Sequence, residues 1–398
     1  MLTRRPLRTW LLFGVMLVLN FFITGCWDRK EIEDRGFALG VGIDHVVTTQ
    51  PKGQYDLPSV TQEFGERKYQ VTFELPRFRK GEEKSGGGTE SHYIFMGEGE
   101  SMFQIVRAIS AKTYFSLFFE ETQVLIFSEA VAKEGISEIL DYFLRNPGMR
   151  RKVGLFVTPG RAEDILTGKL KVEDVNSIFV SKILKNVNIN PRFASLTNLG
   201  DIAEAIRGKK SFVMAEVVLE NGEIKVTKTA IFNNQGKMIG EADEQEVVGG
   251  RLIRKKLKEG VISIANPANP EKLAAFEIVE AKTSVSSHLE GGRLWFTLEA
   301  DFAGNLGENT EIDQKTLDPT FLSAVEEQLA AELTREVLAI YHKEQALQVE
   351  VFDLGALVRR QYPEYWKTIK DRWEEEIFPT VPLEVKIKVT VRRTGMIN

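Results

Sequence analysis

Thiols, imidazoles, glycine-rich turns and oxygen clusters are the groups in this 398-residue chain whose types and spacing could support chemistry. There is one cysteine, Cys26, and there are four histidines, His45, His92, His288 and His342. A single thiol excludes an internal disulfide framework, a cysteine-rich zinc module and a self-contained cysteine-ligated iron–sulfur centre. No two histidines stand at a zinc-motif spacing. Gly40-Val41-Gly42 lacks the third glycine, the following helix and the distant acid of a dinucleotide site. Gly86-Gly87-Gly88 has no Lys-Ser/Thr partner and reads as a surface loop. Asp301, Asn305, Glu308, Asn309 and Asp313 offer oxygens to calcium but do not fill the EF-hand positions. No catalytic, cofactor-binding or metal residue is therefore assigned, and the chain is expected not to be an enzyme.

Cys26 has a different context. Arg4, Arg5 and Arg8 precede an apolar run from Trp10 to Ile23, broken only by Asn20. These 14 residues would make a helix of about 21 Å, short of the roughly 30 Å hydrocarbon core. The run fits the h-region of a secretory signal better than a permanent span. Ile23-Thr24-Gly25-Cys26 follows and resembles a bacterial lipobox. That resemblance implies a diacylglyceryl thioether on Cys26, which becomes the mature N-terminus, with residues 1–25 as a signal peptide. Cleavage would remove three positive and no negative charges, taking the net charge from −5 to −8. Such a body gains nothing overall from anionic headgroups, so the expected anchor is lipid rather than a basic patch. With 52 basic against 57 acidic residues, nucleic acid is not an expected partner.

Hydrophobic residues make up 43% and charged residues 27%, a globular balance. Tyr69, Val71, Phe73 and Leu75 alternate as a strand; 37–43, 123–127 and 152–158 read as further strands. Helices are expected over 101–113 with Ser101 as cap, over 129–145 ending at Asn146-Pro147-Gly148, and over the short stretches 161–166 and 202–207. In the second half, 212–219, 227–232, 238–240 and 261–265 read as strands. Three consecutive antiparallel strands are expected at 276–281, 284–289 and 292–300. The longest helical stripe is Leu322, Val325, Leu329, Leu333, Val337 and Ile340, started by Asp318-Pro319. A second helix from Pro363 to about Glu376 carries Trp366 and Trp373 two turns apart, packed on a sheet. The last strand alternates Leu383, Val385, Ile387, Val389 and Val391 with polar residues. Arg251, Arg254, Lys255, Lys256 and Lys258 read as a solvated helix face opposite Leu252, Ile253 and Leu257. The fold class is α+β: a multi-domain chain of mixed, largely antiparallel sheets covered by helices. The divisions are 26–205, an N-terminal α/β region, and 206–398, a C-terminal α/β domain.

In this order, several short motifs resemble the Ger(x)C family, the C subunits of bacterial spore germinant receptors. They are Cys26-Trp27-Asp28, Glu31-Ile32, Gly42-Ile43-Asp44, then Leu144-Arg145-Asn146 with Arg150 and Arg151. Thr229-Ala230-Ile231-Phe232 and Met238-Ile239-Gly240 follow, and Asp353, Gly355, Pro363, Trp366, Trp373 and Phe378 complete the pattern. Departures are the triglycine, Asn146 where the family favours aspartate, and Glu246 to Gly250 where it favours a threonine-containing turn. The resemblance implies a non-catalytic lipoprotein on the outer face of the inner spore membrane. It implies assembly with two membrane-integral partners, the A and B subunits, into a receptor for nutrients such as amino acids or sugars. It also implies three α/β domains, so that 26–205 would hold two subdomains. Trp27, Asp28, Glu31 and Ile32 are then candidate membrane-proximal or partner-facing residues, weighed against a plain solvated stem. Two rival functions are an extracytoplasmic ligand-binding lipoprotein for transport, with a deep interdomain cleft, and an anchored envelope enzyme.

Overall fold

A computed structural model describes residues 35–46, 68–77, 92–170, 173–184, 190–194, 196–309 and 318–393. The first unit is a nine-stranded sheet. Its chain begins with β1 (Arg35–Phe37), β2 (Gly40–His45), β3 (Tyr69–Pro76) and β4 (His92–Gly99). Then come α1 (Met102–Ser110), β5 (Ser116–Phe118), β6 (Val124–Ser128), α2 (Glu129–Glu134) and α3 (Ser137–Arg145). β7 (Gly154–Thr158), α4 (Ala162–Thr167), α5 (Asn176–Ile183), β8 (Thr197–Asn198) and α6 (Leu199–Arg207) follow. β9 (Phe212–Glu220), β10 (Glu223–Phe232) and β11 (Met238–Ala242) complete it.

The strand order is β11-β10-β9-β7-β6-β2-β3-β4, with β8 on β7, while β1 and β5 form a separate parallel pair. β2, β6, β7 and β9 run parallel at the centre, with antiparallel hairpins on both sides. The apolar run Val124 to Phe127 is buried throughout because helices cover both faces. Leu125 and Phe127 join α1, α2, α3 and α6 in one core. Val124 and Ile126 join α4 and α5 in the other. Alternation within one strand thus feeds two cores.

Some local expectations change. The helix expected over 129–145 is two helices, because Gly135 turns to φ 129° between them. The boundary expected at 205/206 falls at the end of α6, and the three strands after it hydrogen-bond into the same sheet as β7. A local break at Gly208 is visible in sequence; the pairing of Phe156 with Ala215 is not.

The second unit opens with α7 (Glu244–Ile253), then β12 (Gly260–Asn266), β13 (Asn269–Glu290) and β14 (Arg293–Asn309). α8 (Pro319–Leu347), α9 (Leu354–Gln361), α10 (Pro363–Ile369) and β15 (Leu383–Arg393) complete it. The sheet order is β12-β13-β14-β15, with β15 parallel to β14. The expected strands 276–281 and 284–289 are one 22-residue strand; bulges at Ala275/Phe276 and Ile278/Glu280 disturb its alternation without ending it. α8 starts where expected, with Asp318 accepting from Thr320 N at 3.0 Å. Its stripe packs on this sheet and on α7. A Cβ on Gly249 would overlap the Glu336 carbonyl of α8, so glycine is what lets the helices cross this closely. The helix expected to run to Glu376 ends at Ile369 and continues as short 3₁₀ and π turns over Lys370–Thr380.

Candidate functional site

Where the two units meet, a cleft of about 910 Å³ opens. One wall is the end of α6 with residues 208–213 and Asn234; the other is the end of α7, residues 350–360 and residues 366–375. Both α6 and α7 stop in the same way. Lys209 and Lys255 adopt left-handed conformations, φ 49° and 59°. The next N–H, of Lys210 or Lys256, then returns to the carbonyl of Ala205 or Arg251, at 2.8 Å in each case. Glycine would take these positions at lower cost. The lysines instead place positive charge at two helix C-termini, where it is favoured.

A buried carboxylate organises the opposite wall. Glu350 accepts from Phe352 N at 2.6 Å, Leu354 N at 3.1 Å, Gly355 N at 3.0 Å and Trp373 Nε1 at 3.4 Å. Burial pushes its carboxyl above the usual range, and these bonds oppose that rise. They hold the start of α9 and make Asp353 left-handed, φ 63°. A Cβ on Gly355 would lie 2.7 Å from Trp373 Nε1 and 2.9 Å from Trp366 Cη2, so the two indoles close over bare backbone. The rings of Trp366 and Trp373 are 5.4 Å apart, and Trp373 lies 6.0 Å from Phe378. Five residues singled out by sequence, Asp353, Gly355, Trp366, Trp373 and Phe378, are thus one cluster.

Polar bonds cross the cleft floor. Lys210 Nζ lies 2.7 Å from Asp353 Oδ1. Ser211 N and Oγ donate to Glu374 at 3.3 and 3.0 Å, and Asn234 Nδ2 at 3.4 Å. Burial raises the Glu374 carboxyl, and the Ser211 bonds lower it. Arg254 donates to the Val351 carbonyl. Loss of water on the cleft side, then neighbouring Arg254, lowers the Lys256 ammonium. Arg251 departs from its expected solvated place: it is buried and donates to the carbonyls of Asn190 and Pro191 at 3.3 and 3.1 Å. A guanidinium can satisfy several carbonyls at once, which a sequence pattern does not reveal. Lysines, arginines and acids alternate around indole rings, an arrangement that suits binding of charged or polar groups.

The histidines lie apart. His45 Nε2 is 3.0 Å from Glu134, and His92 Nε2 is 3.9 Å from Glu74. His342 Nδ1 is 3.1 Å from Gln345. Ser286 Oγ is 3.1 Å from His288 Nε2, a pair not anticipated from sequence; the imidazole stacks on Trp295. Among the described residues no carboxylate is paired with His288, and no group of three His, Cys, Asp or Glu is placed to hold a metal. Asp301 and Asn305 sit on β14, whereas Asp313 lies outside the described residues.

The early motif residue Asp44 is structural. Its carboxylate accepts from Ala162 N and Glu163 N, capping α4. Glu74 does the same for α5 through Asn176 N and Ser177 N, both at 2.8 Å. Arg145 pairs with Asp141, and Arg150 with Glu121. Thr229 to Phe232 and Met238 to Gly240 pair as β10 and β11 around a turn in which Asn233 Oδ1 accepts from Gln235 N and Lys237 N. Cys26, Trp27, Asp28, Glu31 and Ile32 lie outside the described residues, as does the triglycine. Among the described residues no helix is long and apolar enough to cross a membrane.

Comparison with known proteins gives a consistent answer. Residues 28–219 match the family profile described as the spore germination protein N-terminal domain. Residues 227–395 match that described as spore germination B3/GerAC like, C-terminal. The spore germination protein YndF of Bacillus subtilis (strain 168) is 26% identical over 398 residues, covering 96% of each chain. Spore germination protein B3 of the same organism is 22% identical, covering 97% of this chain and 98% of its own. A crystal structure of the GerBC protein superposes with a TM-score of 0.56 at 20% identity, covering 92% of this chain and all of that one.

Proposed function

Because the chain belongs to the Ger(x)C family of spore germination proteins, we propose that it acts in germination as the C subunit of a germinant receptor, held at a membrane by lipid on Cys26. The observation that carries the reading is the pair of family matches, which together span nearly everything after Cys26. Residues 1–27 fall before the first match, in keeping with a leader ending at Gly25 and a modified cysteine after it. In this reading the protein is not an enzyme. It presents folded surfaces to membrane-integral A and B subunits at the outer face of the inner spore membrane. Trp27, Asp28, Glu31 and Ile32 are its proposed membrane-proximal or partner-facing residues. Tethering acts by raising local concentration rather than by strengthening each contact.

Affinity capture from detergent-solubilised spore membranes tests this. It should recover A and B subunits, and the N-terminal peptide should carry an acyl adduct that Cys26→Ala abolishes. Absence of both partners, with an unmodified Cys26, would overturn it. The cleft favours a second reading, that of a ligand-binding lipoprotein. Calorimetric titration of the full chain with amino acids and sugars separates the two: saturable binding by this chain alone supports the second.

A further inference from the structure

Near the start of the described chain, the first unit exposes aromatic rings that its core does not bury. Tyr114 is 85% exposed, Phe103 58% and Tyr93 45%. Clustered exposed apolar side chains on a globular body mark a surface that something else covers. Tyr93, Phe95, Phe115 and Tyr114 form a chain, with 6.3, 5.5 and 5.2 Å between successive centroids; Phe103 stands outside it, on the exposed side of α1 with Arg107 and Ala111. Cations accompany them. Arg77 stands 5.4 Å from the Tyr93 ring centre, Arg107 4.8 Å from that of Phe103, and Arg35 4.3 Å from that of Phe118. A basic, aromatic face therefore sits on a body whose net charge is −8 once residues 1–25 are removed.

Its position is as telling as its chemistry. β1 pairs with β5 in parallel, Arg35 opposite Ser116, two residues after Tyr114. Parallel pairing means that the chain enters β1 from the Tyr114 end of β5. Cys26 precedes Arg35 by nine residues, and a stretch of that length spans at most about 32 Å when fully extended. A lipid on Cys26 therefore keeps the start of β1, and with it the Tyr114 end of β5, within about 32 Å of its attachment point.

We propose that Tyr93, Phe103 and Tyr114, with Arg35, Arg77 and Arg107, form a bilayer-contact face that seats the first unit in the lipid headgroup region. The proposal rests on the lipid-anchor reading above. Tyrosine has an apolar ring and a polar tip, which suits the membrane–water boundary. The arginines carry charge opposite to lipid phosphate. Two acyl chains on Cys26 already hold the protein at the membrane, so this face would set how the first unit is oriented there rather than whether it stays. The overall negative charge argues against attraction by the whole body, but this face is locally basic, and screening confines charge effects to roughly 8–10 Å.

The test uses the full lipidated chain in vesicles of phosphatidylcholine with phosphatidylglycerol. A fluorophore is attached through Ala111→Cys, beside Tyr114 with the rings intact, or through Val279→Cys on β13 as a distant control. Nitroxide-bearing lipids should quench the label at position 111 severalfold more than that at 279. The triple variant Tyr93→Ser, Phe103→Ser, Tyr114→Ser should lose the difference while flotation and the acyl mass on Cys26 persist. If the protein floats through Cys26 and the label at 111 stays unquenched, the anchor stands and the bilayer face is wrong. If Cys26 is a free thiol and the protein does not float, the anchor reading itself fails. Shielding of position 111 only in spore membranes that contain integral partners would assign the face to protein and overturn the lipid assignment.

Discussion

The Asp44 carboxylate on β2 accepts a hydrogen bond from the Ala162 N–H at the start of α4, 2.8 Å away and 118 residues later in sequence. Glu163 N donates to the other oxygen at 3.0 Å. Glu74 on the neighbouring strand repeats the device for α5. Two adjacent strands of this sheet thus each place a buried acid at a helix N-terminus. Burial raises both carboxyls and the amide bonds oppose that rise, so these acids serve the frame rather than chemistry.

Asp44→Ala should orphan two amides and cost about 2 kcal/mol, in the range of lost caps and unsatisfied buried donors. Asp44→Asn keeps one acceptor oxygen and should cost less. Urea denaturation midpoints, compared at equal slope, rank the three proteins.

Glu336 on α8 is only 2% exposed, and among the described residues both its carboxylate oxygens lack a hydrogen-bond partner. Burial pushes its carboxyl from the ordinary 4.5 to about 7, opposed first by Arg192. A raised native pKa means that the folded state holds a proton the unfolded chain releases. The stabilising contribution is present below the unfolded value and is lost as pH rises from about 4.5 to about 7, an effect on the order of 3 kcal/mol. Glu336→Gln should flatten this part of the stability–pH curve and be the more stable protein at pH 8. Equal slopes for both proteins would contradict the assignment.

Gly249→Ala forces a methyl against the Glu336 carbonyl where α7 crosses α8. Backbone cannot yield as a side-chain tip can, so the cost should exceed the usual overpacking range of about 1–3 kcal/mol. Loss of near-ultraviolet circular dichroism and early thermal unfolding would register it. Gly250→Ala, with its nearest neighbour 3.5 Å away at Phe352, should be far milder.

Lys255→Gly removes a left-handed non-glycine residue at the cleft edge. Stability should stay level or rise by up to about 1 kcal/mol. If the lysine charge serves a ligand or partner, binding should weaken while the thermal midpoint holds. That split between binding and stability would distinguish a cleft function from a merely structural cap.

Much of the local structure was legible in the residues. Ser101 and Asp318 cap α1 and α8 as read, because a cap needs only a side-chain oxygen and the next few amides. The alternation of Leu383 to Val391 is one strand, since one face of β15 is wet. The basic face expected on a helix opposite Leu252, Ile253 and Leu257 lies mostly past it: α7 ends at Ile253, so Arg254, Lys255, Lys256 and Lys258 follow the helix, and the crossing that demands Gly249 is not marked locally. β13 looked like two strands because its bulges interrupt the period of two. Sequence singled out five residues of the cleft's tryptophan cluster, but nothing local marked Glu350, Lys209 or Glu374 as their companions.

Sequence alone determined the mixed α+β class, the family and the expectation of a lipid acceptor at Cys26, because each is carried by short-range spacing and motif order. Tertiary structure decided that the first sheet runs on past residue 206. It turned Asp44 and Glu74 into caps, buried Arg251, and gathered residues from both units around one cleft. The reason is physical: these outcomes depend on pairs of groups tens to hundreds of residues apart, whose meeting is set by parallel strand pairing and by the burial of two helix-covered faces, and no local pattern encodes that encounter.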